Sequence, residues 1–530
     1  MLDLSRIREA ARDEGGVSRR LFLAYGAALS AVPFLGTQAI GRTLRRARFE
    51  SDPFTLGVAS GDPAHDGFVI WTRLAPKPLA GGGMPPENIE VRWEVAEDDA
   101  MQRIVRSGTS LATPQLAHSV HVEVEGLKPD RWYWYRFQAG DSVSTTGRGR
   151  TMPESASLPD QLRFVFASCQ HYEQGLFTAY EHMAQEDLDL VVHLGDYIYE
   201  GPGQDKRVRK HVGGKLTTLE DYRNRHAQYR SDPLLHGMHA RCPWVVTWDD
   251  HEFENNYAAE ISERQGVDPG EFLEQRANAY QAFYEMMPLR ARSIPQGPDM
   301  KLYRTISFGR LATFQVLDTR QYRSDQPNGD KGSDLNDDAL NPKNSLLGAK
   351  QAGWLKRALL RSTAEWNVLA QQVMMGMADV DTGEAKRYSM DQWCSAAYER
   401  MKLVQFLAER KIANPVVLTG DIHSNWVNEL RVDDRRTDTS VVATEFVGTS
   451  LSSGGNGSKE YKQLDLLLAE NPCVKFHNRQ RGYVSCTVTQ KTWRSDYRVV
   501  EEVIKPGGAM STLASFFIET GRPSVLRADA

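Results

Sequence analysis

Residues 190–201 read LVVHLGDYIYEG, an apolar run that ends in Gly-Asp and continues into a pair of tyrosines. An apolar run of this length is typical of a buried strand in a parallel sheet. Open α/β sheets bind their ligands just beyond the carboxyl ends of such strands. The stretch therefore predicts an α/β sheet, with Asp196 and Tyr199 as candidates for chemistry at its edge.

Several other apolar runs end in the same way, in residues that commonly bind metals or take part in catalysis. These runs are FVFASC, which ends at Cys169, VVTWDDHE, which contains Asp249, Asp250 and His251, and PVVLTGDIH, which contains Asp421 and His423. Helical patterns between several of the runs indicate an α/β core with buried strands. If the strands belong to one sheet, the polar clusters converge at one edge.

Each of these residues also has a purely structural explanation. A cysteine can be a small buried hydrophobe, an aspartate can cap a helix or form a turn, and a histidine can be a hydrogen-bonded core residue. Four clusters of Cys, Asp, Tyr and His at strand ends are harder to explain in this way. Buried carboxylates close to one another are costly unless cations neutralise them. The pattern therefore favours a metal centre.

The residue types indicate which cations such a centre binds. A thiolate, a phenolate and an imidazole around a carboxylate suit a trivalent or borderline transition ion. Carboxylates and amide oxygens suit calcium, magnesium or manganese. Asp196 lies in the middle of the set in the sequence, and its two carboxylate oxygens can bridge both kinds of ion.

Five stretches carry a resemblance to a known family. They are LGVASGDPAHDGFVIWTRL at 56–74, GDYIYEG at 195–201, TWDDHEFENN at 247–256, LDTRQYR at 317–323 and LTGDIHSNWV at 418–427. The chain resembles the bacterial PhoD-type alkaline phosphatases, which belong to the calcineurin-like and purple-acid-phosphatase-like metallophosphoesterase superfamily. The resemblance runs from about Phe54 to at least Trp493.

The resemblance implies an α/β fold with two domains. A four-layer αββα metallophosphoesterase catalytic domain is expected at 160–504. An all-β sandwich of immunoglobulin or fibronectin type is expected before it, at 50–152. Period-2 alternation and turns rich in Gly, Pro and Asp between residues 54 and 150 also predict strands there.

The same resemblance assigns roles to single residues. The implied ligands of a ferric ion are Cys169, Asp196, Tyr199 and His423. The implied ligands of a calcium ion are Asp196 as the bridge, Asp250 and Asp421, with manganese, magnesium or zinc as alternative metals. His251 would be the acid next to the metals. The implied activity is metal-dependent hydrolysis of phosphate mono- or diesters, by attack of a hydroxide that the cations activate.

Two further stretches leave alternatives open. The wider superfamily has a histidine at the end of another strand, where WNVLAQQVMM at 366–375 offers only Gln371 and Gln372. An amide oxygen from either residue would suit calcium. The glycine-rich LSSGGNG at 451–457 is predicted to be a surface turn, with a phosphate-binding loop as the alternative.

The N-terminal stretch VSRRLFLAYGAALSAVPFLG at 17–36 predicts a twin-arginine signal peptide over residues 1–40. A transmembrane anchor is the alternative, but the glycines and the proline weaken a stable span. We therefore expect the twin-arginine machinery to export the protein to the periplasm, the cell wall or the extracellular space. No stable membrane span is expected after the signal is removed.

The composition is that of an ordinary globular protein. Of 530 residues, 41% are hydrophobic and 25% are charged, and the net charge is -5. This charge gives no reason to expect sequence-specific binding of nucleic acid or an acidic membrane surface. The five cysteines are an odd number for an oxidising compartment, and Cys473 and Cys486 could pair.

The C-terminal segment and the substrate each leave competing interpretations. Residues 505–530 are expected to form either a cap over the active site or a loosely packed surface helix. A phosphodiesterase specialised for teichoic acid, phospholipid or nucleotide esters is the main alternative to a broad phosphatase. A non-catalytic protein whose β-sandwich binds cell-wall polymer explains the export signal, but it does not explain the Cys, Asp, Tyr and His clusters.

Overall fold

The computed structural model describes residues 48–381 and 383–528. The predicted signal peptide at 1–40 lies outside these residues. Within the described ranges, no helix combines the length and the apolar character needed to cross a bilayer.

An N-terminal β region precedes the larger α/β region, as predicted. Its strands are β1 (Val58–Ala64), β2 (Gly67–Arg73), β3 (Ile89–Ala96), β4 (Ile104–Ala112), β5 (Ser119–Val124), β6 (Trp132–Ala139), β7 (Ser142–Val143) and β8 (Gly147–Arg150). In β6, Tyr133, Tyr135 and Phe137 are buried and alternate with more exposed residues. These three aromatic residues share one core with Phe68 and Ile70 of β2. The core therefore lies between the sheet that contains β2 and the sheet that contains β6.

The α/β region contains the remaining strands and the helices of the described chain. The strands are β9 (Gln161–Ala167), β10 (Leu190–His193), β11 (Trp244–Val246), β12 (Arg304–Phe308), β13 (Ala312–Val316), β14 (Trp366–Ala370), β15 (Pro415–Thr419), β16 (Asn425–Leu430), β17 (Ala443–Val447), β18 (Gly457–Ser458), β19 (Val474–Gln480), β20 (Gly482–Thr489), β21 (Thr492–Val500), β22 (Met510–Glu519) and β23 (Arg522–Arg527). The α-helices are α1 (Thr178–Met183), α2 (Leu219–Arg230), α3 (Pro233–Arg241), α4 (Pro269–Met286), α5 (Gly348–Arg361), α6 (Ala397–Glu409) and α7 (Leu464–Glu470).

The strands form three mixed or antiparallel sheets. The largest has the order β23-β22-β21-β20-β9-β10-β11-β1-β2-β5, the second has the order β12-β13-β14-β15-β17-β16-β19-β18, and the third has the order β4-β3-β6-β7 with β8 paired to β6. The first two sheets face each other across an apolar core. In this core the ring of Phe164 meets those of Phe314 and Trp493 edge-on, at 5.2 and 5.6 Å between centroids. Burial of such aromatic area is the main source of stability here.

The N-terminal β region is continuous with the large sheet. β1 runs parallel to β11 and pairs Gly61 with Trp244. A Cβ at Gly61 would lie only 2.6 Å from the carbonyl oxygen of Pro288 and 2.8 Å from that of Trp244. Glycine is therefore needed for the close approach that joins the two parts of the chain.

The carboxyl ends of the parallel strands meet at one edge, but they come from two sheets and not from one. β9, β10 and β11 are parallel neighbours in the large sheet, and β13, β14 and β15 are parallel neighbours in the second. Ser168, which follows β9, forms a parallel bridge with Ser450, which follows β17. The two sheets are thus tied together where their polar clusters emerge.

The expectation of a C-terminal surface helix or active-site cap is wrong for most of residues 505–530. β22 pairs with β21, and β23 pairs with β22, so the segment is a hairpin that extends the large sheet. Phe516 and Ile518 are buried in the core between the sheets. The alternation of apolar and polar residues in STLASFFIE suits a strand with one buried face.

The buried hairpin leads to a prediction about stability. Phe516 is 1% exposed and packs 5.3 Å from Phe476 between ring centroids. We expect Phe516→Ala to lower the free energy of unfolding by about 3–5 kcal/mol, because it leaves a cavity in the core. Leu526→Ala, at a residue that is 47% exposed in the same hairpin, should change it by less than about 0.5 kcal/mol. Equal effects of the two substitutions in chemical denaturation would contradict this placement.

The suggested disulfide between Cys473 and Cys486 is also wrong. All five cysteines are free and buried. Cys486 lies in the core between the sheets, whereas Cys473 packs with Trp426 in a separate cluster. The apolar surroundings of both explain their burial without a covalent link.

Candidate metal centre

Four of the candidate site residues adopt a left-handed backbone just after a strand ends. The φ angle is 59° at Cys169, 55° at Asp196, 59° at Asp421 and 55° at His423. Non-glycine residues rarely adopt positive φ, and this strain persists where surrounding structure fixes it, often at functional sites. The shared conformation is an independent sign that these turns are shaped for their side chains.

The first group of side chains combines sulfur, oxygen and nitrogen. Ligand atoms of Cys169, Asp196 and His423 all lie within 4.8 Å of one another. The hydroxyl of Tyr199 donates to Oδ2 of Asp196 at 2.7 Å and lies 3.3 Å from Nε2 of His423. The spacing of Asp196 and Tyr199 thus brings both oxygens to one place. Ser453, whose Oγ is 2.7 Å from the Tyr199 hydroxyl, adjoins the group.

Two acidic groups continue from this one. Ligand atoms of Asp196, Asp250 and His251 lie within 4.8 Å of one another, as do those of Asp249, Asp250 and Asp421. Asp196 therefore belongs to the sulfur-containing group and to an acidic group at the same time. The structure brings together all the residues that the sequence nominated as ligands or acid.

The donors present fit bound cations. Oδ1 of Asp196 and Oδ2 of Asp249 are buried and have no hydrogen-bond partner among the described residues. Buried carboxylate oxygens without partners cost free energy, and a cation removes that cost. Both oxygens of Asp421 accept hydrogen bonds, from Arg320 and Gln392, and a carboxylate oxygen keeps a further lone pair for a metal.

The charges of the protein alone leave this centre incompletely neutralised. Burial raises the pKa of Asp196 well above its usual value, and Asp250 adds to the rise although His251 opposes it. Burial and the neighbouring Asp391 raise the pKa of Asp421 to about 6. Burial also raises the pKa of the Cys169 thiol and of the Tyr199 phenol, and Asp196 adds to both shifts. A nearby cation would favour the charged form of all four groups.

His251 is oriented by a carboxylate that the sequence did not nominate. Nδ1 of His251 lies 2.8 Å from Oε2 of Glu200, and Oε1 of Glu200 accepts the backbone N–H of Asn255. Burial alone would lower the pKa of His251, but Glu200, Asp250 and Asp196 together raise it well above its usual value. The contact with Glu200 occupies Nδ1 and leaves Nε2 free for a substrate.

Glu252 and Arg320 are two further residues that the sequence reasoning missed. Glu252 is buried and accepts the backbone N–H groups of Asp196, Tyr197 and Asp249, so it ties the turns after β10 and β11 together. Glu252 directly follows His251 in WDDHE. Its place in this strand-end cluster is the sequence feature from which a role at the site could have been predicted.

Arg320 lies fully buried on the acidic side of the centre. Its guanidinium donates to Asp249 and Asp391 at 2.5 Å each and to Asp421 at 3.3 Å. It occurs in LDTRQYR just after β13, so it shares the strand-end position of the other site residues. This stretch is one of the five that carry the family resemblance, but the roles that the resemblance implies do not include its arginine.

The amide oxygens of both glutamines after β14 accept hydrogen bonds. Oε1 of Gln371 accepts the indole N–H of Trp393, and Oε1 of Gln372 accepts both the backbone N–H and the hydroxyl of Thr319. Both side chains therefore support neighbouring turns. Oε1 of Gln372 thus has both lone pairs engaged, whereas Oε1 of Gln371 keeps one, so an amide ligand for calcium stays a prediction for Gln371 alone.

The loop at 451–457 is not a simple surface turn. Ser453 is buried, and its hydroxyl donates to the carbonyl oxygen of Cys169 at 2.8 Å. Leu451 and Ser452 are buried as well. The loop therefore passes against the candidate centre and fixes the position of Cys169.

Comparisons with known proteins extend over most of the chain. Residues 164–497 match the model of a family described as PhoD-like phosphatase, and residues 39–153 match that of the PhoD-like phosphatase N-terminal domain. Alkaline phosphatase D of Bacillus subtilis is 53% identical over 473 residues, which cover 88% of this chain and 81% of that protein. A solved structure described as the structure of PhoD superposes with a TM-score of 0.89 at 51% identity, covering 91% of this chain and 94% of the other.

Proposed function

Because the chain belongs to the PhoD-like phosphatase family, we propose that it hydrolyses phosphate esters at a centre of two cations that share Asp196. The chain is a phosphoric ester hydrolase of the alkaline phosphatase D type. The observation that carries the two-cation proposal is the buried Oδ1 of Asp196, which has no hydrogen-bond partner among the described residues, on a carboxylate that belongs to both a sulfur-containing group and an acidic group. Membership in this family contradicts the non-catalytic alternative.

The proposed ligands divide between the two ions by their chemistry. Ferric iron would be held by Cys169, Asp196, Tyr199 and His423, since anionic sulfur and phenolate donors favour a trivalent ion. Calcium would be held by Asp196, Asp250 and Asp421, since carboxylate oxygens suit a hard cation. Asp249 is added to this set, because its Oδ2 is buried and free. Manganese, magnesium or zinc are the alternatives for either place.

When bound, two such cations supply Lewis acidity, which draws charge from phosphate oxygens and lowers the pKa of a water molecule. The protein's own residues would position and complete this chemistry. His251, held by Glu200, would donate a proton from Nε2 to the leaving oxygen. Burial lowers its pKa, but the carboxylate of Glu200 and the neighbouring aspartates raise it well above the usual value, and this shift favours the proton-donating form. Arg320 would balance the acidic side so that the carboxylates keep their spacing.

The architecture and location that we propose follow the same family. Three apolar cores support a four-layer αββα catalytic domain. One lies between the two large sheets. The other two lie on the outer faces of these sheets and include residues of α2 and α4 on one side and of α5 and α6 on the other. The core shared by β2 and β6 supports an immunoglobulin- or fibronectin-like sandwich. The arginine pair at positions 19 and 20 supports export through the twin-arginine pathway.

Removal of calcium tests the proposed function. We expect the purified protein to hydrolyse p-nitrophenyl phosphate and to lose at least about 90% of that activity in excess EGTA, because the acidic group would lose its cation. Added calcium should restore the rate. The matching measurement with bis-p-nitrophenyl phosphate gives the preference for monoesters or diesters. Full activity after exhaustive chelation by EGTA and EDTA would contradict the proposed metal dependence.

A further inference from the structure

A cavity of about 440 Å³ adjoins the candidate metal centre on the side of His423. Cavities of this size accept whole small molecules, so it has room for more than one phosphate group. The lining side chains that matter here are His423, Trp426, His477, Arg479 and Arg481. None of the residues that line it is acidic.

Arg481 brings a buried positive charge to the cavity wall. It is 6% exposed, and its guanidinium donates only to uncharged oxygens: the carbonyls of His423 and Gly455 and the hydroxyl of Thr449. No carboxylate of the described chain forms an ion pair with it. A buried guanidinium without a paired carboxylate is costly, and an anionic ligand in the cavity would reduce that cost.

Arg479 places a second positive charge at the exposed rim of the same cavity. Its guanidinium carbon lies 4.0 Å from the centroid of the Tyr461 ring. Stacking of this kind holds the guanidinium plane and leaves its N–H edges free for a planar or tetrahedral anion. Arg479 likewise forms no ion pair within the described ranges, so its charge is available to a ligand.

His477 adds a buried imidazole ring to the cavity wall. It is 4% exposed, and neither ring nitrogen makes a hydrogen bond of normal geometry to the described residues. Its ring lies 4.1 Å from that of Trp426 between centroids. Buried polar groups are almost always satisfied, and a ligand in the cavity would satisfy this one. The indole beside it offers apolar surface for the carbon atoms of such a ligand.

Two glycines make room for Arg481. A Cβ at Gly454 would lie 2.6 Å from its Nη2, and a Cβ at Gly457 would lie 3.0 Å from its Cζ. Both glycines also have positive φ, at 80° and 67°. The loop can therefore pass close to the guanidinium only without side chains at these positions. The cavity is a built feature of the loop and not a gap in the packing.

We propose that this cavity binds the esterified group of the substrate and selects esters that carry a second anionic group, such as bisphosphates. The inference rests on the proposed function, which places the scissile phosphate at the metal centre. Arg481 donates to the carbonyl oxygen of His423, and the residues that line the cavity include none of the acidic residues of the centre. The charge of the two arginines would therefore meet a second anion of the same substrate.

Titration calorimetry with two non-hydrolysable probes tests this inference on the full, metal-loaded protein. The probes are propylphosphonate and propane-1,3-diphosphonate, measured at physiological ionic strength so that loose surface attraction is screened. We expect the wild type to bind the diphosphonate about tenfold or more tightly, as charge-assisted hydrogen bonds to one extra anionic group allow. Arg479→Gln should lose most of that preference. Arg310→Gln, at an exposed arginine in the turn between β12 and β13, should keep it.

Equal affinity of the wild type for the two probes would overturn the inference. An undiminished preference in Arg479→Gln would overturn it as well, because the charge at the rim would then contribute nothing. Hydrolysis of p-nitrophenyl phosphate in the same samples separates this result from the proposed function. A protein that prefers the diphosphonate but hydrolyses no phosphate ester would support the cavity and contradict the function.

Discussion

Asp196→Asn is expected to abolish hydrolysis and to leave a protein that holds neither metal. The substitution replaces one of the two carboxylate oxygens of Asp196 with an NH2 group. Asp196 lies within 4.8 Å of ligand atoms in both the sulfur-containing and the acidic group, so both groups lose a donor. The carboxamide also carries no negative charge and has only one oxygen, so it cannot serve both groups as the carboxylate would. We expect activity to fall by more than about a thousandfold, because the barrier then loses the contribution of both cations.

Elemental analysis of the purified variant measures this effect. Iron and calcium should both fall to background, while the circular dichroism spectrum stays that of the wild type. Asp187→Asn is the matched control, because Asp187 precedes the same strand but its side chain is 81% exposed. The control should keep both metals and full activity. An Asp196→Asn protein with normal metal content would show that this carboxylate is not the bridge.

His251→Ala is expected to separate rate from metal binding. The imidazole is held at Nδ1 by Glu200 and lies with its ring 4.2 Å from that of Tyr199. In our account it donates a proton and does not bind a metal. We therefore expect both metals to remain and kcat to fall by about a hundredfold to ten-thousandfold, the usual contribution of a positioned general acid.

The dependence of the lost rate on the leaving group distinguishes a general acid from a structural residue, because loss of a structural residue would slow both substrates alike. The loss should be small for p-nitrophenyl phosphate, whose leaving group needs little protonation, and large for an alkyl phosphate such as glycerol 3-phosphate. His65→Ala, at a side chain that is 54% exposed, should leave both substrates unaffected. Loss of metal in His251→Ala to the same extent as in Asp196→Asn would contradict the separate roles of the two residues.

Much of the candidate site could be predicted from local sequence. Each nominated residue stands at the end of a short apolar run, and such runs become parallel strands whose ends converge. Cys169 follows β9 of the large sheet, whereas Asp421 follows β15 of the second sheet. The strand-end pattern alone does not contain this division, because pairing between distant strands depends on contacts that no local window contains. Two sheets were implied only by the αββα arrangement of the family that the chain resembles.

The supporting residues were harder to predict, for a physical reason. Arg320 and Glu252 act through contacts with residues far from them in the chain, such as Asp391 and Asp196. The sequence alone does not distinguish a buried arginine or glutamate from an exposed one. The C-terminal hairpin is not among the expectations for residues 505–530, although β22 has the alternation of a half-buried strand.

Optical and elemental analysis of the protein as purified tests the central claim most directly. A phenolate bound to ferric iron absorbs visible light, and Tyr199 is the proposed phenolate. We predict a visible band in the wild type that scales with bound iron and disappears in Tyr199→Phe. A colourless, iron-free protein with full phosphatase activity would contradict the proposed centre.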